Sequence, residues 1–291
     1  MSAGGSIRFQ APSGRPDVAM VEAYARDGFL VLDGFASEDE CRALAGRIDE
    51  LIAAFDPSEF RTAFDTAAQR HGRDAYFRES GDKIRFFFEP EALDLGGRLV
   101  RPKVRAINKI GHALHDLDPV FERFSRDPRF GALAWALGPA KPRLIQSMAI
   151  LKQPFIGDEV GWHQDATYLF TEPQSVTGFW LALEDAGLDN GCLRAIPGGH
   201  RGPLRERFRD QGGALKLETL DRTPWPADAG VAIEAPRGTL VVIHGLLPHA
   251  SGANRTTASR YAYALHAIDA DAVYPADNWL KRGALPARGF A

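Results

Sequence analysis

The second half of this 291-residue chain is a succession of short apolar or alternating segments, at 144–151, 177–183, 191–196, 238–243 and 260–267. Clusters of Gly, Pro, Asn and Asp part them. The runs have the length of strands, and turn residues rather than helical patterns separate them. They therefore read as an antiparallel sandwich or barrel and not as alternating βαβ units.

The first half reads as mainly helical. Ser37-Glu38-Asp39-Glu40 is a capping-box pattern, and Leu44, Ile48, Leu51, Ile52 and Phe55 follow at helical spacing, which predicts a helix over 38–55. Helical pieces are expected at 108–114 and 119–124. Asp127-Pro128 opens a further helix that runs to Leu137 and stops at Gly138-Pro139. Two strand-like runs interrupt this half: 29–32, after the Asp27-Gly28 turn signal, and Phe86-Phe87-Phe88, a strand or a buried edge. The polar stretch 57–71 has no clear period. Residues 1–17, rich in Gly, Ser, Ala and Pro, are expected to be disordered, leaving 18–291 as a single domain. The charged, Gly/Pro-punctuated stretch 201–228 reads as a long insertion between strands.

Composition removes several classes of function. Hydrophobic residues make up 45% and charged residues 25%, ordinary values for a globular chain and wrong for a disordered or fibrous one. A net charge of −3 leaves no basic footprint for nucleic acid. No run approaches the roughly 18 apolar residues of a membrane span. Two cysteines, Cys41 and Cys192, are too few for a disulfide framework or a Cys-rich zinc site. No secretory leader pattern is visible in residues 1–16, so the expectation is a cytoplasmic, monomeric protein whose partner is a small-molecule substrate.

The chemistry concentrates in Gly161-Trp162-His163-Gln164-Asp165. In extended backbone, residues i and i+2 face the same way, so His163 and Asp165 aim an imidazole and a carboxylate at one point. One more imidazole completes a facial triad, which leaves open positions for a non-haem Fe(II). His249, just after the apolar strand 239–243, is a candidate for it; His244 in the same stretch competes. Arg260 begins the alternating strand Arg260-Tyr261-Ala262-Tyr263-Ala264-Leu265-His266. A hairpin from His249 could bring its guanidinium beside the metal site, where it would grip one end of a dicarboxylate. His112 and His115, three apart on an expected helix, could mimic a metal pair but have no third ligand.

These residues, with Gly191-Cys192-Leu193 and Ile196-Pro197-Gly198-Gly199-His200, resemble the phytanoyl-CoA dioxygenase family. Further matches are Ser80-Gly81-Asp82-Lys83-Ile84-Arg85, Asn108-Lys109-Ile110-Gly111-His112, Gln146-Ser147-Met148 and Asn278-Trp279-Leu280, so the likeness runs from about residue 20 to 280. The resemblance implies a mainly β fold with flanking helices: a double-stranded β-helix (jelly-roll, cupin-like) core behind a helical N-terminal half. It implies a dioxygenase using Fe(II), 2-oxoglutarate and O2, with His163, Asp165 and His249 as iron ligands. Arg260 is then the partner of the distal 2-oxoglutarate carboxylate, with Ser251 donating nearby, and Lys109, Met148 and Trp180 line the co-substrate pocket. A carboxylate at Asp165, where a halogenase of this type needs a small residue, points to hydroxylation or desaturation. Two departures, Gly199 before His200 and Arg194 where an aromatic residue is common, bear on substrate detail. The family name suggests an acyl-CoA, and Arg201, Arg205, Arg207 and Arg209 are the residues that could form a site for its 3′-phosphate. A catalytically silent jelly-roll binding module and a metal hydrolase using the same His/Asp/His set are the competing readings.

Overall fold

The computed structural model describes residues 8–11, 15–57 and 75–290. The polar stretch 57–71 falls almost wholly outside them, as do residues 1–7. In chain order the first elements are β1 (Arg8–Gln10), α1 (Val18–Asp27), β2 (Phe29–Asp33), α2 (Glu38–Ala54) and α3 (Ala75–Arg78). Next come β3 (Ile84–Phe88), β4 (Ile107–His112), α4 (Leu114–Leu117), α5 (Pro119–Ser125), α6 (Pro128–Leu137) and β5 (Pro142–Lys152). The second half adds β6 (Val160–His163), β7 (Thr177–Ala182), β8 (Leu193–Ala195), β9 (Glu206–Gln211) and β10 (Ala214–Thr219). It closes with β11 (Val231–Ile233), β12 (Leu240–His244), β13 (His249–Ser251), β14 (Arg260–Asp269) and β15 (Arg288–Gly289).

Two sheets face each other. The larger runs β1-β2-β12-β7-β14-β5-β4-β3, with β15 paired to β5, and the smaller runs β11-β8-β13-β6. Pairing is antiparallel except for β1 on β2. This is a jelly roll with helices on one side, as the strand pattern and the family likeness implied.

Strict alternation sorts side chains between two cores. On β14, Tyr261, Tyr263, Leu265 and Ala267 join Leu30, Leu32, Phe179, Leu181 and Val242 in a core shared with α1, α2, α5 and α6. The opposite face carries Ala262 and Ala264, packed with Phe29, Val31, Trp180, Val241 and Ile243 against the smaller sheet. The sheet is thus covered on both sides, and its strands read as nearly unbroken apolar runs.

The helix starts follow from their caps. Ser37 Oγ accepts from the Glu40 N–H at 3.1 Å while Glu40 Oε2 accepts from the Ser37 N–H at 2.7 Å, which closes the capping box of α2. Asp127 accepts from the Arg129 N–H at 2.8 Å and Pro128 begins α6. Gly28 ends α1 at φ 82°, a left-handed turn where a Cβ would lie 2.4 Å from the His200 ring.

Several expectations need correction. Of residues 108–114 only Leu114, the first residue of α4, is helical: 107–112 form β4, held between β3 and β5. Ile107 and Ile110, three apart, fit a helical period; a bulge in the β3–β4 pairing, where Phe87 meets Lys109 and Phe88 meets Ile107, lets a strand bury both in one core. The first half accordingly contributes β2, β3, β4 and the start of β5 to the sheet, besides its helices. Phe86-Phe87-Phe88 lies in β3, the sheet edge. Within the stretch expected to be disordered, Arg8–Gln10 pairs with β2, and Arg8 forms an ion pair with Asp33. The 201–228 insertion contains a hairpin, β9–β10, turning at Gly212 and Gly213 with φ of 67° and 90°. Two glycines between alternating runs are a hairpin signal in their own right. No described helix is long and apolar enough to cross a membrane.

Candidate active site

Cross-strand register builds the centre of the site. β13 pairs with β6 so that His249 lies opposite His163, and the two rings stand 4.2 Å apart. His163 Nδ1 donates to the Gly161 carbonyl at 2.8 Å, and His249 Nδ1 donates to the Leu247 carbonyl at 3.0 Å. Each backbone acceptor fixes the tautomer, so both Nε2 atoms present lone pairs to the centre. Asp165 follows through an extended Gln164, which puts its Oδ1 4.0 Å from His163 Nε2 and 3.6 Å from His249 Nε2. The ligating atoms of the three residues lie within 4.8 Å of one another.

Electrostatics favours the metal-binding protonation states of His163 and Asp165. Burial, with His249 alongside, pushes the His163 imidazole down to about 4, so it is neutral at physiological pH. Burial alone would raise the Asp165 carboxyl, but His249 and His266 outweigh it and hold the group ionised, well below the usual carboxylate range. His244 is elsewhere, at the end of β12, with its ring 5.0 Å from that of His200.

A cavity of about 120 Å³ extends from the trio between the sheets. Arg260, Ser251, Lys109, Met148 and Trp180 all line it. Arg260 is 1% exposed, lies 5.4 Å over the Trp180 ring, and is brought down to about 10 by burial, so it stays cationic. Its Nε and Nη1 have no hydrogen-bond partner among the described residues. Glu184 anchors the strand start beneath it, accepting from Ser259 Oγ at 3.1 Å and from the Tyr261 N–H at 2.9 Å. Ser251 shares a face of β13 with His249. Lys109 is on a strand rather than the helix or loop expected, and burial brings its ammonium down to about 7.

A second lobe of about 110 Å³ shares Lys109, Met148, His163 and Asp165 and is walled by Phe77, Tyr168, Leu169, Phe208 and Trp279. Phe77 stacks on Trp279 at 4.6 Å, and Phe208 arrives from the β9–β10 hairpin.

A profile of the phytanoyl-CoA dioxygenase (PhyH) family matches residues 24–262. A phytanoyl-CoA dioxygenase of Arabidopsis thaliana is 45% identical over 91% of this chain and 94% of its own length. The Bos taurus phytanoyl-CoA dioxygenase domain-containing protein 1 is 44% identical over 90% and 94%. This chain belongs to the phytanoyl-CoA dioxygenase family. Among solved structures, the epimerase SnoN, in complex with Fe3+, alpha-ketoglutarate and nogalamycin RO, superposes with a TM-score of 0.64 at 20% identity, covering 94% of this chain and 93% of that one. EctD from S. alaskensis, solved with 2-oxoglutarate and 5-hydroxyectoine, gives 0.62 at 20% identity, covering 99% and 90%. These two establish likeness of fold.

Some residues of this family member's site were not singled out by sequence. His266 Nε2 stands 3.4 Å from Asp165 Oδ2, and a Cβ on Gly178 would lie 2.8 Å from that oxygen. Gly178 thus leaves the room the carboxylate occupies. Strand parity was the available signal for His266, which follows Arg260 by an even number of residues on β14. Lys152 lies opposite Arg260 and donates to the Asp158 carbonyl, and burial with Arg260 beside it brings its ammonium down to about 7. Glu89, wholly buried, accepts from Asn108 Nδ2 at 2.9 Å, and burial lifts its carboxyl to about 7.

His112 and His115 are no metal pair: His112 Nδ1 lies 2.8 Å from Ser80 Oγ, and His115 Nδ1 2.8 Å from Ser147 Oγ. The insertion arginines form no open basic cluster. Arg201 donates to the Arg26 carbonyl at 2.7 Å, Arg205 lies 4.0 Å over Trp225, Arg207 pairs with Asp277 at 2.7 Å, and Arg209 with Glu218 at 2.9 Å.

Proposed function

We propose that this chain is an Fe(II)- and 2-oxoglutarate-dependent dioxygenase that hydroxylates an unactivated C–H bond of a small-molecule substrate, acting in the cytoplasm. The observation that carries the reading is one cavity holding both a His/Asp/His set and a buried guanidinium whose Nε and Nη1 have no hydrogen-bond partner among the described residues. The donor set fits: two imidazoles that turn Nε2 inward and one carboxylate suit a divalent iron and leave positions open. Arg260 fits as well. A buried cation with unsatisfied N–H groups is costly, and a carboxylate from a bound dicarboxylate satisfies it through charge-assisted hydrogen bonds.

In this reading Fe(II), 2-oxoglutarate and O2 supply the oxidising chemistry, with succinate and CO2 as the co-substrate's products. The chain's own residues bind and orient. His163, Asp165 and His249 hold the metal; the Gly161 and Leu247 carbonyls keep the two imidazoles in the ligating tautomer. Arg260 grips the far carboxylate with Ser251 donating beside it, and Met148, Trp180 and Lys109 wall the co-substrate. The aromatic lobe receives the substrate and keeps water from the reacting carbon. Both cysteines are free and buried, which suits a reducing compartment. A hydrolase would use the same His/Asp/His set but would leave Arg260 uncompensated, and a silent binding module has no need of either.

The test is anaerobic titration of 2-oxoglutarate into the Fe(II)-loaded protein, watching for the weak visible metal-to-ligand charge-transfer band. The band is expected in the parent and lost or weakened in His249→Ala and Arg260→Ala. Tight iron binding with no band would overturn the reading.

A further inference from the structure

We propose that Gln146 is the substrate-recognition residue of the aromatic lobe. We propose further that the substrate is a compact molecule, a ring-sized apolar body bearing one neutral hydrogen-bonding group, and not a CoA thioester. The inference rests on the dioxygenase reading for the fate of the substrate, though not for its binding.

Three observations carry it. The first is size and surface. The lobe that lacks Arg260 encloses about 110 Å³ between Phe77, Tyr168, Phe208 and Trp279. A cavity of ~150 Å³ takes one benzene ring, so this space, opening toward the metal trio, suits a body of that order. Aromatic walls also favour a ring or branched apolar group over a charged one.

The second is Gln146 itself. It lies on β5 opposite His266 of β14, whose Nε2 reaches Asp165, so it stands one strand from the metal trio. It lines the aromatic lobe and not the Arg260 lobe, and it is 4% exposed. Its carboxamide borders this lobe, where a ligand can reach it. A site built to hydrogen-bond its ligand rejects analogues without the matching group. A carboxamide both donates and accepts, so it matches a hydroxyl, a carbonyl or another amide.

The third is charge. On the outward side of His163 the approach is lined by Asp158, Glu159 and Glu206 against Arg255, and Arg255 Nη1 already donates to the Phe155 carbonyl at 2.8 Å. Carboxylates outnumber cations there, which repels the phosphates of CoA. The arginines of the insertion are engaged with Trp225, Asp277, Glu218 and the Arg26 carbonyl, so no phosphate cradle offsets that repulsion.

The experiment is isothermal titration calorimetry with benzyl alcohol, toluene and octanoyl-CoA. It is run under nitrogen on protein loaded with Fe(II) and 2-oxoglutarate, and again on protein carrying neither. Benzyl alcohol is expected to bind about tenfold more tightly than toluene, the worth of one hydrogen bond, and octanoyl-CoA is not expected to compete with it. In Gln146→Met, close in volume, the preference is expected to fall below about threefold while toluene binds as in the parent; Gln146→Leu repeats the test in a second background. Toluene binding in either variant shows that the lobe is intact. Equal affinities in the parent, no binding of either aromatic, a preference that survives both substitutions, or one-for-one competition by octanoyl-CoA would each overturn the proposal. Failure of the dioxygenase reading is distinct: it appears as a missing charge-transfer band in the loaded parent, while the titrations on unloaded protein still read the lobe.

Discussion

The two faces of β14 are built to opposite specifications. Toward the helices it presents Tyr261, Tyr263, Leu265 and Ala267, buried among apolar neighbours, and the one polar tip at the centre, Tyr263 Oη, meets Ser125 Oγ at 2.8 Å. Toward the cavity it presents Arg260 and His266, separated by Ala262 and Ala264. Arg260 Nε, Arg260 Nη1 and His266 Nδ1 are buried without hydrogen-bond partners among the described residues. One backbone thus carries a satisfied face and an unsatisfied one. A fold tolerates unmatched polar groups where a ligand will match them, and the packed face offsets their cost. The two faces should therefore fail differently when cut.

The sharpest separation comes from Arg260→Ala. Removing one partner of a buried charge pair costs about 2–5 kcal/mol, so 2-oxoglutarate affinity is expected to fall on the order of 100-fold. Because the guanidinium is unpaired without co-substrate, the melting temperature of the apo protein should hold steady or rise. A large loss of apo stability would mean that the cavity face is structural after all.

Leu265→Ala is the mirror experiment. Leu265 is 1% exposed within the helix-side core, and such truncations cost about 2–5 kcal/mol of stability. The expected outcome is a lower melting temperature with 2-oxoglutarate affinity, read from the charge-transfer band below the transition, within about twofold of the parent. If binding weakens as much as in Arg260→Ala, the two faces are not separable.

The cavity face should also answer to pH where the helix face does not. Below about 7, the Lys152 and Lys109 ammoniums are charged and Glu89 is neutral; above it, the two lysines lose their protons and Glu89 becomes an anion. These changes make the Arg260 end of the cavity more negative as pH rises, and the co-substrate is a dianion. Its dissociation constant is expected to increase between pH 6 and pH 8 by about tenfold, the equivalent of one unit of pKa coupling. Glu89→Gln removes one of the three titrations and should flatten the profile. A profile that rises in the opposite direction would contradict this arrangement of charges.

What sequence alone revealed divides along the same line. The strands of the second half, the capping box at Ser37, the Asp127 cap and the His163/Asp165 pair were legible because each is written in local spacing: period two, period three to four, or i and i+2. Bringing His249 opposite His163 took strand register, which spacing does not encode, and there the family likeness supplied the assignment. β4 reads as helical in the sequence because Ile107 and Ile110 stand three apart, and the bulge that lets a strand bury both arises only in its pairing with β3. Gln146, Lys152 and Glu89 were given no role for a related reason. Their types are ordinary on a protein surface, and it is their burial, a property of the assembled sheets, that makes them notable. Gly178 is legible only once the carboxylate beside it has been placed.

The smallest effect is the most exacting check on the helix face. Tyr263→Phe removes one hydrogen bond, between Tyr263 Oη and Ser125 Oγ, and leaves the ring in contact with Phe121. Ser125 Oγ still donates to the Phe121 carbonyl at 2.6 Å, so the substitution strands no buried donor. The expected loss is about 1 kcal/mol, near the net worth of one hydrogen bond, visible as a fall of a few degrees in melting temperature. Co-substrate affinity and its pH profile should coincide with the parent's. Tyr263 is flanked on β14 by Ala262 and Ala264, which face the cavity. If Tyr263→Phe alters either binding curve, backbone shifts pass through the sheet from one face to the other, and alternation along β14 no longer insulates the site from the core.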